Sequence, residues 1–480
     1  MPISKRSYLL LSLLGFAALA SVHWIHSWPA LSQGHSFPDL GDSPAANPFL
    51  EVLQTITLFF LFGIYLYCLV NWERLQFTAR EVVWSGIAQG SLAWIALPAN
   101  STDIFGYIGL GRIAGIYGAN PYLHTYSEFA DFYFVYMEWD IPMPYGPVLL
   151  PFCILGGWIA QHSVLIAVFV LKLVLLLTHG VNCRLLYLIL KGWDRAPVFG
   201  MFLFGLNPLL LLEQIANGHN DGVMILFALL AILALQRRSD WWHVAAIVFA
   251  LLSALVKLPG LFLCLVVVVY LARNREWRAL SYSVSICAAL LLTLGLTLFP
   301  TRAALLSLTN AGNYTKNSLH SIVTVYGEKL SDWIGASWDY DTLYVLDRRV
   351  FSVLFFGFCL WRLSKIFELN DLVGELAYLF LALLTGYAAW FFPWYVAWLL
   401  PLAAFTESLR LRWAIVAFSC SALALYAFPY SLLEPPTTHW FLFPLRLAIV
   451  HLAPVMIFLC SITWLRRPAS GGSFNIPRSR

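Results

Sequence analysis

Asp103 stands six residues beyond Leu97, where a long apolar run ends, with Tyr107 one helical turn on and Arg112 farther along. A carboxylate at the end of an apolar helix can stay ionised while facing partly dehydrated surroundings, as a general base acting on a hydroxyl must. A nearby cation such as Arg112 can neutralise an anionic leaving group. The same residues also have a plainer reading. Ser101-Thr102-Asp103 is an N-terminal helix cap, and Arg112 reaches to a membrane interface along its aliphatic stem.

Four further groups carry chemistry. The turn Asn217-Gly218-His219-Asn220-Asp221 either caps the next helix through Asp221, with Asn220 supporting the turn, or offers His219 and Asp221 to acceptor hydroxyls, a phosphate or a divalent ion. Two ligand types fall short of a metal centre, so no metal or other cofactor is expected. Lys172 and Lys257 lie within apolar runs, where ionisable groups are costly and usually functional. Lys257 sits at a helix break, where it meets freed carbonyls, a lipid phosphate or an internal acid. Asn313, Tyr314, Lys316, Asn317 and His320 form a polar, cationic cluster, suited to a phosphate headgroup or simply to solvent. In GANPY and MPYGP, Asn120, Tyr122 and Tyr145 stand in proline-stiffened turns, and such tyrosines either stack on sugar rings or anchor the membrane interface. Glu128, Asp131, Glu138 and Asp140 read as a solvated face, and FFPWYVAW as interfacial aromatics with a proline turn.

These residues must be positioned by membrane helices. The 480 residues are 60% hydrophobic and 11% charged, with mean hydropathy +0.75. Soluble domains run at roughly 45–50% apolar and 25% charged. The chain reads as an all-α polytopic membrane protein of about 12–14 spans, one domain over 1–465, with a disordered tail at 466–480. The polar insertions 99–147 and 300–347 form large loops carrying short interfacial helices. Residues 148–160 are too short to cross and read as re-entrant. The run 244–271, broken at Lys257-Leu258-Pro259 with basic flanks on both sides, reads as a broken hairpin.

With the N-terminus inside, 20 Lys and Arg fall on inner flanks and 7 on outer ones, with Lys172 and Lys257 in the bilayer, which accounts for all 29. This asymmetry places both termini in the cytoplasm and both large loops, with the 217–221 and 391–395 turns, on the outer face of a plasma (inner) membrane. A net charge of +4 with scattered basic residues excludes a nucleic-acid partner. Eight cysteines without CxxC spacing read as core residues.

The ordered segments DIFGYIGLGR, GANPY, YGP, NPLLLLEQIANGHNDGVMILF, ALVKLPGLF and PWYVAWLLPL, between residues 100 and 402, resemble the polyprenyl-phosphate-mannose-dependent alpha-1,6-mannosyltransferases of bacterial lipoglycan assembly. These belong to the multi-spanning C-type (GT-C) glycosyltransferases. The resemblance implies a GT-C-like bundle and inverting transfer of a hexose, mannose above all, on the outer face. It implies a polyprenyl-phosphate sugar donor, a glycan or glycolipid acceptor and contact with membrane lipid. Asp103 matches the family's first-loop catalytic acid; where relatives often carry an acid pair, Ile104 follows it here. On this reading Arg112, Lys257, Lys316 and His320 meet the donor phosphate and lipid. Tyr107, Asn120, Tyr122, Tyr145, His219, Asn220 and Asp221 then meet sugar or acceptor.

No nucleotide sugar is expected, since no soluble domain carries a glycine-rich nucleotide loop. A lipid-linked oligosaccharide flippase or exporter is the rival class, but it should show internal repeats with paired half-helices, and only one broken hairpin is evident. A Wzy-like polysaccharide polymerase is a nearer rival. Release of polyprenyl phosphate separates the readings.

Overall fold

The computed structural model describes residues 3–40, 46–309, 315–336, 338–427 and 436–460. Asn313, Tyr314 and the 466–480 tail lie outside the described residues. Among the described residues the regular structure is helical apart from one isolated bridge between Lys316 and Trp390.

Among the described residues five helices have the length and apolarity to cross a membrane: Lys5–Ser32, Pro48–Val70, Val164–Gly192, Trp277–Thr297 and Leu369–Tyr387. Pro197–Gly205 with Pro208–Ala216, bent by 46°, is apolar enough to be a sixth span if the pair is counted as one, or a re-entrant loop. The chain is an all-α polytopic membrane protein. The remaining apolar runs form helices of 10–17 residues, including Asp221–Leu235, Asp240–Ala254 and Leu258–Arg273. Several are interrupted at a proline, which lacks an N–H and clashes with the preceding turn. Counting apolar runs therefore gives a larger number than counting unbroken helices.

Interrupted helices expose backbone groups that protein must satisfy. At the expected break, Asp240–Ala254 ends before Lys257, and a 3-10 turn, Leu258–Gly260, starts the next helix, Leu261–Arg273. The carbonyls of Val256 and Leu255 accept from the amides of Gly146 (3.0 Å) and Val148 (3.1 Å). A Cβ at Gly146 would lie 1.9 Å from the Leu255 oxygen, so only glycine allows this approach. The YGP turn is thereby locked onto the broken hairpin.

Loops that the alternation of spans assigns to one end touch one another. At one end Lys5 donates to the Gln76 carbonyl (2.8 Å) and pairs with Glu81 (2.9 Å), Arg195 pairs with Glu407 (2.6 Å), and Arg273 donates to the Ser364 and Ile366 carbonyls (2.9 Å each). At the other, Asn120 donates to the Leu298 carbonyl (2.8 Å), Ser307 to that of Met143 (3.0 Å), and the Lys316 amide to that of Ala389 (2.9 Å).

The 102–147 segment packs into a second core that it shares with Phe37, Cys153, Val168 and Leu171. The Asp103–Gly115 helix lies on the Leu150–Ile159 helix so closely that a Cβ at Gly111 would sit 1.7 Å from the Cys153 carbonyl oxygen. Tyr122, Tyr126, Tyr133 and Tyr136 are buried with Phe105 and Ile108. These tyrosines form a core instead of an interfacial belt. The acids differ from a uniformly solvated face as well. Asp131 grips Arg112, and Glu138 accepts from the Thr102 hydroxyl (2.8 Å).

Candidate active site

The approach to Asp103 is fixed by contacts from several helices. The Ala79–Ile95 helix ends in carbonyls with no partner inside the helix. Lys172 donates to those of Trp94 (2.8 Å) and Ala96, and Trp24 to that of Ile95 (2.9 Å). His23 Nδ1 donates to the Leu97 carbonyl (2.8 Å) and Ser27 to that of Pro98 (2.6 Å). Lys172 is thus a cap for this helix exit. Farther on, Asn217 Oδ1 accepts from the amides of Ala99 and Asn100 (3.3 Å each), tying the segment to the 217–221 turn.

Asp103 opens its helix, but its carboxylate accepts no backbone amide among the described residues. The Ser101 hydroxyl accepts the Asp103 N–H instead (3.2 Å). Asp103 Oδ2 accepts from the hydroxyls of Tyr145 (3.1 Å) and Tyr107 (3.4 Å), and lies 3.5 Å from His219 Nδ1. Its side chain is 19% exposed. The capping reading therefore lacks its defining hydrogen bond. Burial alone would raise the Asp103 carboxyl, but His219, Lys257 and the Tyr145 hydroxyl together hold it below the usual aspartate range.

His219 is fully buried between two carboxylates, with Nε2 3.3 Å from Glu213 Oε2. Its ring stacks on Trp394 with centroids 3.8 Å apart and planes 20° from parallel. Burial opposes its charge, yet Asp103 and Glu213 raise its pKa from 6.5 to about 9. Protonation of His219 thus stabilises the fold fully below about pH 6.5, and that contribution is lost as pH rises through about 9.

Asp221 likewise opens a helix without capping it. Its Oδ1 accepts from Lys257 Nζ (2.8 Å) and the Trp398 indole (2.6 Å). Of the partners open to Lys257, an internal acid is the one present. Its ammonium also lies 5.7 Å from the Tyr145 ring and 5.5 Å from that of Tyr395. Asn220 is completely buried, and neither side-chain polar atom meets a protein partner among the described residues.

The structure therefore gathers Asp103, Tyr107, Tyr145, His219, Asn220, Asp221 and Lys257. Lys316 is half-buried with its ammonium 5.2 Å from the Phe392 ring, and Glu138 stands between it and Asp103 electrostatically. Burial first, then Asp103, pushes the Glu138 carboxyl above its usual range, and Lys316 opposes this.

Other expected residues are engaged elsewhere. Arg112 is buried and bidentate on Asp131 (2.7 and 3.0 Å), so its charge is spent on the loop's own core. His320 is buried between Asp347 (2.5 Å) and the Tyr387 carbonyl (2.9 Å). Asn120 closes its own turn through the Tyr122 amide (3.0 Å). Tyr122 is buried under Phe299, and Tyr107 is buried edge-on to Tyr145, so neither offers a ring face to a sugar here.

Glu213, Asn217, Trp394, Trp398 and Glu138 belong to the site but were not expected there. Glu213 had a usable signal, since an acid inside an apolar run is a functional suspect by default. The two tryptophans had none, because their run has the composition of interfacial aromatics.

Among the described residues no group of three or more His, Cys, Asp or Glu side chains is arranged to hold a metal ion. What the site offers is a partly exposed, ionised carboxylate held by two phenols and an imidazole, beside the buried Lys257–Asp221 ion pair. No curated protein and no solved structure matches the chain. Residues 11–273, more than half of the chain, match the family model described as alpha-(1->6)-mannopyranosyltransferase, N-terminal domain, and the segment includes Asp103, Glu213, His219, Asp221 and Lys257. The chain belongs to the alpha-(1->6)-mannopyranosyltransferase family.

Proposed function

We propose that this glycosyltransferase moves a mannosyl unit from a polyprenyl-phosphate donor to a hydroxyl of a glycan or glycolipid acceptor, with inversion, on the outer face of the plasma membrane. The observation that carries the reading is the Asp103 carboxylate, ionised, partly exposed and free of any capping bond among the described residues. Asp103 takes the acceptor's hydroxyl proton as that oxygen bonds to the anomeric carbon. The bond from that carbon to the phosphate oxygen breaks on the opposite face, and its electron pair leaves on polyprenyl phosphate.

Lys316, half-buried with its ammonium 5.2 Å from the Phe392 ring, is the cation assigned to the departing phosphate, and Asn220 offers buried donor and acceptor atoms to a sugar hydroxyl. The purified protein should release polyprenyl phosphate from polyprenyl-phosphate mannose, dependent on acceptor, more readily than from the glucose donor. No release from any polyprenyl-phosphate sugar in such a panel would move the chain toward transport or polymerisation.

The side of the membrane is tested separately. In a background with the eight native cysteines replaced, a cysteine at Ser127 should react with an impermeant maleimide in intact cells. One at Ser239, exposed at the other end of the bundle, should react only after permeabilisation. The reverse pattern would place the site on the cytoplasmic face.

A further inference from the structure

We infer that Glu213 is a positioning residue that holds His219 as an imidazolium against Asp103 and thereby keeps the base ionised between turnovers. This rests on Asp103 being the base of the proposed transfer.

Glu213 lies in a wide π-turn, Leu211–Ala216, of the kind that recurs at functional sites. Its side chain is wholly buried. Oε2 accepts from Asn217 Nδ2 (3.1 Å) and faces His219 Nε2, while its backbone carbonyl accepts the His219 amide (3.0 Å). A carboxylate this deep needs a counter-charge. Among the described residues His219 is the cation it meets, since Lys257 is committed to Asp221.

The inventory of ring protons decides the state of the imidazole. A neutral ring carries one N–H and can serve one carboxylate, leaving a lone pair toward the other; only the imidazolium donates toward both. The nitrogen-to-oxygen distances of 3.5 and 3.3 Å place a carboxylate at each end of the ring as ion-pair contacts, neither nitrogen meeting hydrogen-bond geometry among the described residues. The parallel Trp394 face also favours the cation.

The other charged or titratable groups around the Asp103 contact are Tyr107 of the same helix, Glu138 of the first loop with Lys316 beyond it, Tyr145 of the YGP turn, Tyr395 beside Trp394, and the Lys257–Asp221 pair. Glu213 and His219 together are neutral. Asp103 can thus gain the acceptor's proton and return it to water through its exposed edge while its partner keeps one charge. Without Glu213 the buried ring would give up its proton at lower pH, and a lone pair would then face the base.

The test reads His219 directly, by NMR of protein labelled with 13C and 15N at histidine, the signal assigned by its loss in His219→Gln. In the parent the ring should remain imidazolium at pH 8. In Glu213→Gln its titration should fall by at least about one pH unit, the usual size of an opposite-charge effect at this range. The acid limb of kcat should then move to higher pH, and Glu213→Asp should restore both. A parent ring that is neutral at pH 7 overturns the inference whether or not Glu213→Gln folds. So does a Glu213→Gln ring that titrates with the parent, or a loss of rate equal at every pH, as a purely structural anchor for Asn217 would give. Failure of the parent to transfer mannose would sink the proposed function instead, and the NMR result still decides the role of Glu213.

Discussion

Lys257→Met is expected to destabilise the protein by about 3–5 kcal/mol, whereas Lys257→Met combined with Asp221→Asn should recover most of that loss. Asp221 is wholly buried, and its Oδ2 has no protein partner among the described residues, so its charge depends on Lys257 and the Trp398 indole at Oδ1. Removing the ammonium leaves an uncompensated carboxylate inside the bundle. The Asp221→Asn change keeps an acceptor for Trp398 and removes the charge. Thermal unfolding in detergent, with the single and double variants side by side, reads the difference. A Lys257→Met protein as stable as the parent would mean that this pair does not hold the broken hairpin to the 217–221 turn.

The break at Lys257 was legible because a proline beside a lysine, inside an apolar run with basic flanks, leaves few alternatives. The partner of Lys257 was not, since Asp221 lies 36 positions away and the pairing arises only when two helices meet. Asp103 could be singled out from its place at the end of a run, but that it caps nothing shows only in the directions of its oxygens. Arg112 shows the opposite case. Its spacing from Asp103 suits a phosphate, yet Asp131, 19 residues on, claims the Nε–Nη2 edge of the guanidinium. The tyrosines of 122–136 have the composition of an interface belt, and only the closure of the loop on itself reveals a core. Local pattern thus located helix ends and breaks, while which polar groups pair across helices depended on tertiary contacts that no short window contains.

The central claim is that the Asp103 carboxylate takes the acceptor's proton. Asp103→Asn keeps shape and an acceptor for the Tyr107 and Tyr145 hydroxyls, and leaves the Glu213–His219 pair neutral. Folding should survive, because the Asp103 carboxylate makes no capping bond among the described residues and its loss strands no buried charge. A positioned general base contributes about 10² to 10⁴-fold. The measurement is turnover of Asp103→Asn with saturating polyprenyl-phosphate mannose and an acceptor the parent uses, on protein whose thermal unfolding and donor binding match the parent's. The expected result is a loss of at least about 10²-fold, and turnover within about threefold of the parent would contradict the role of Asp103 as the base.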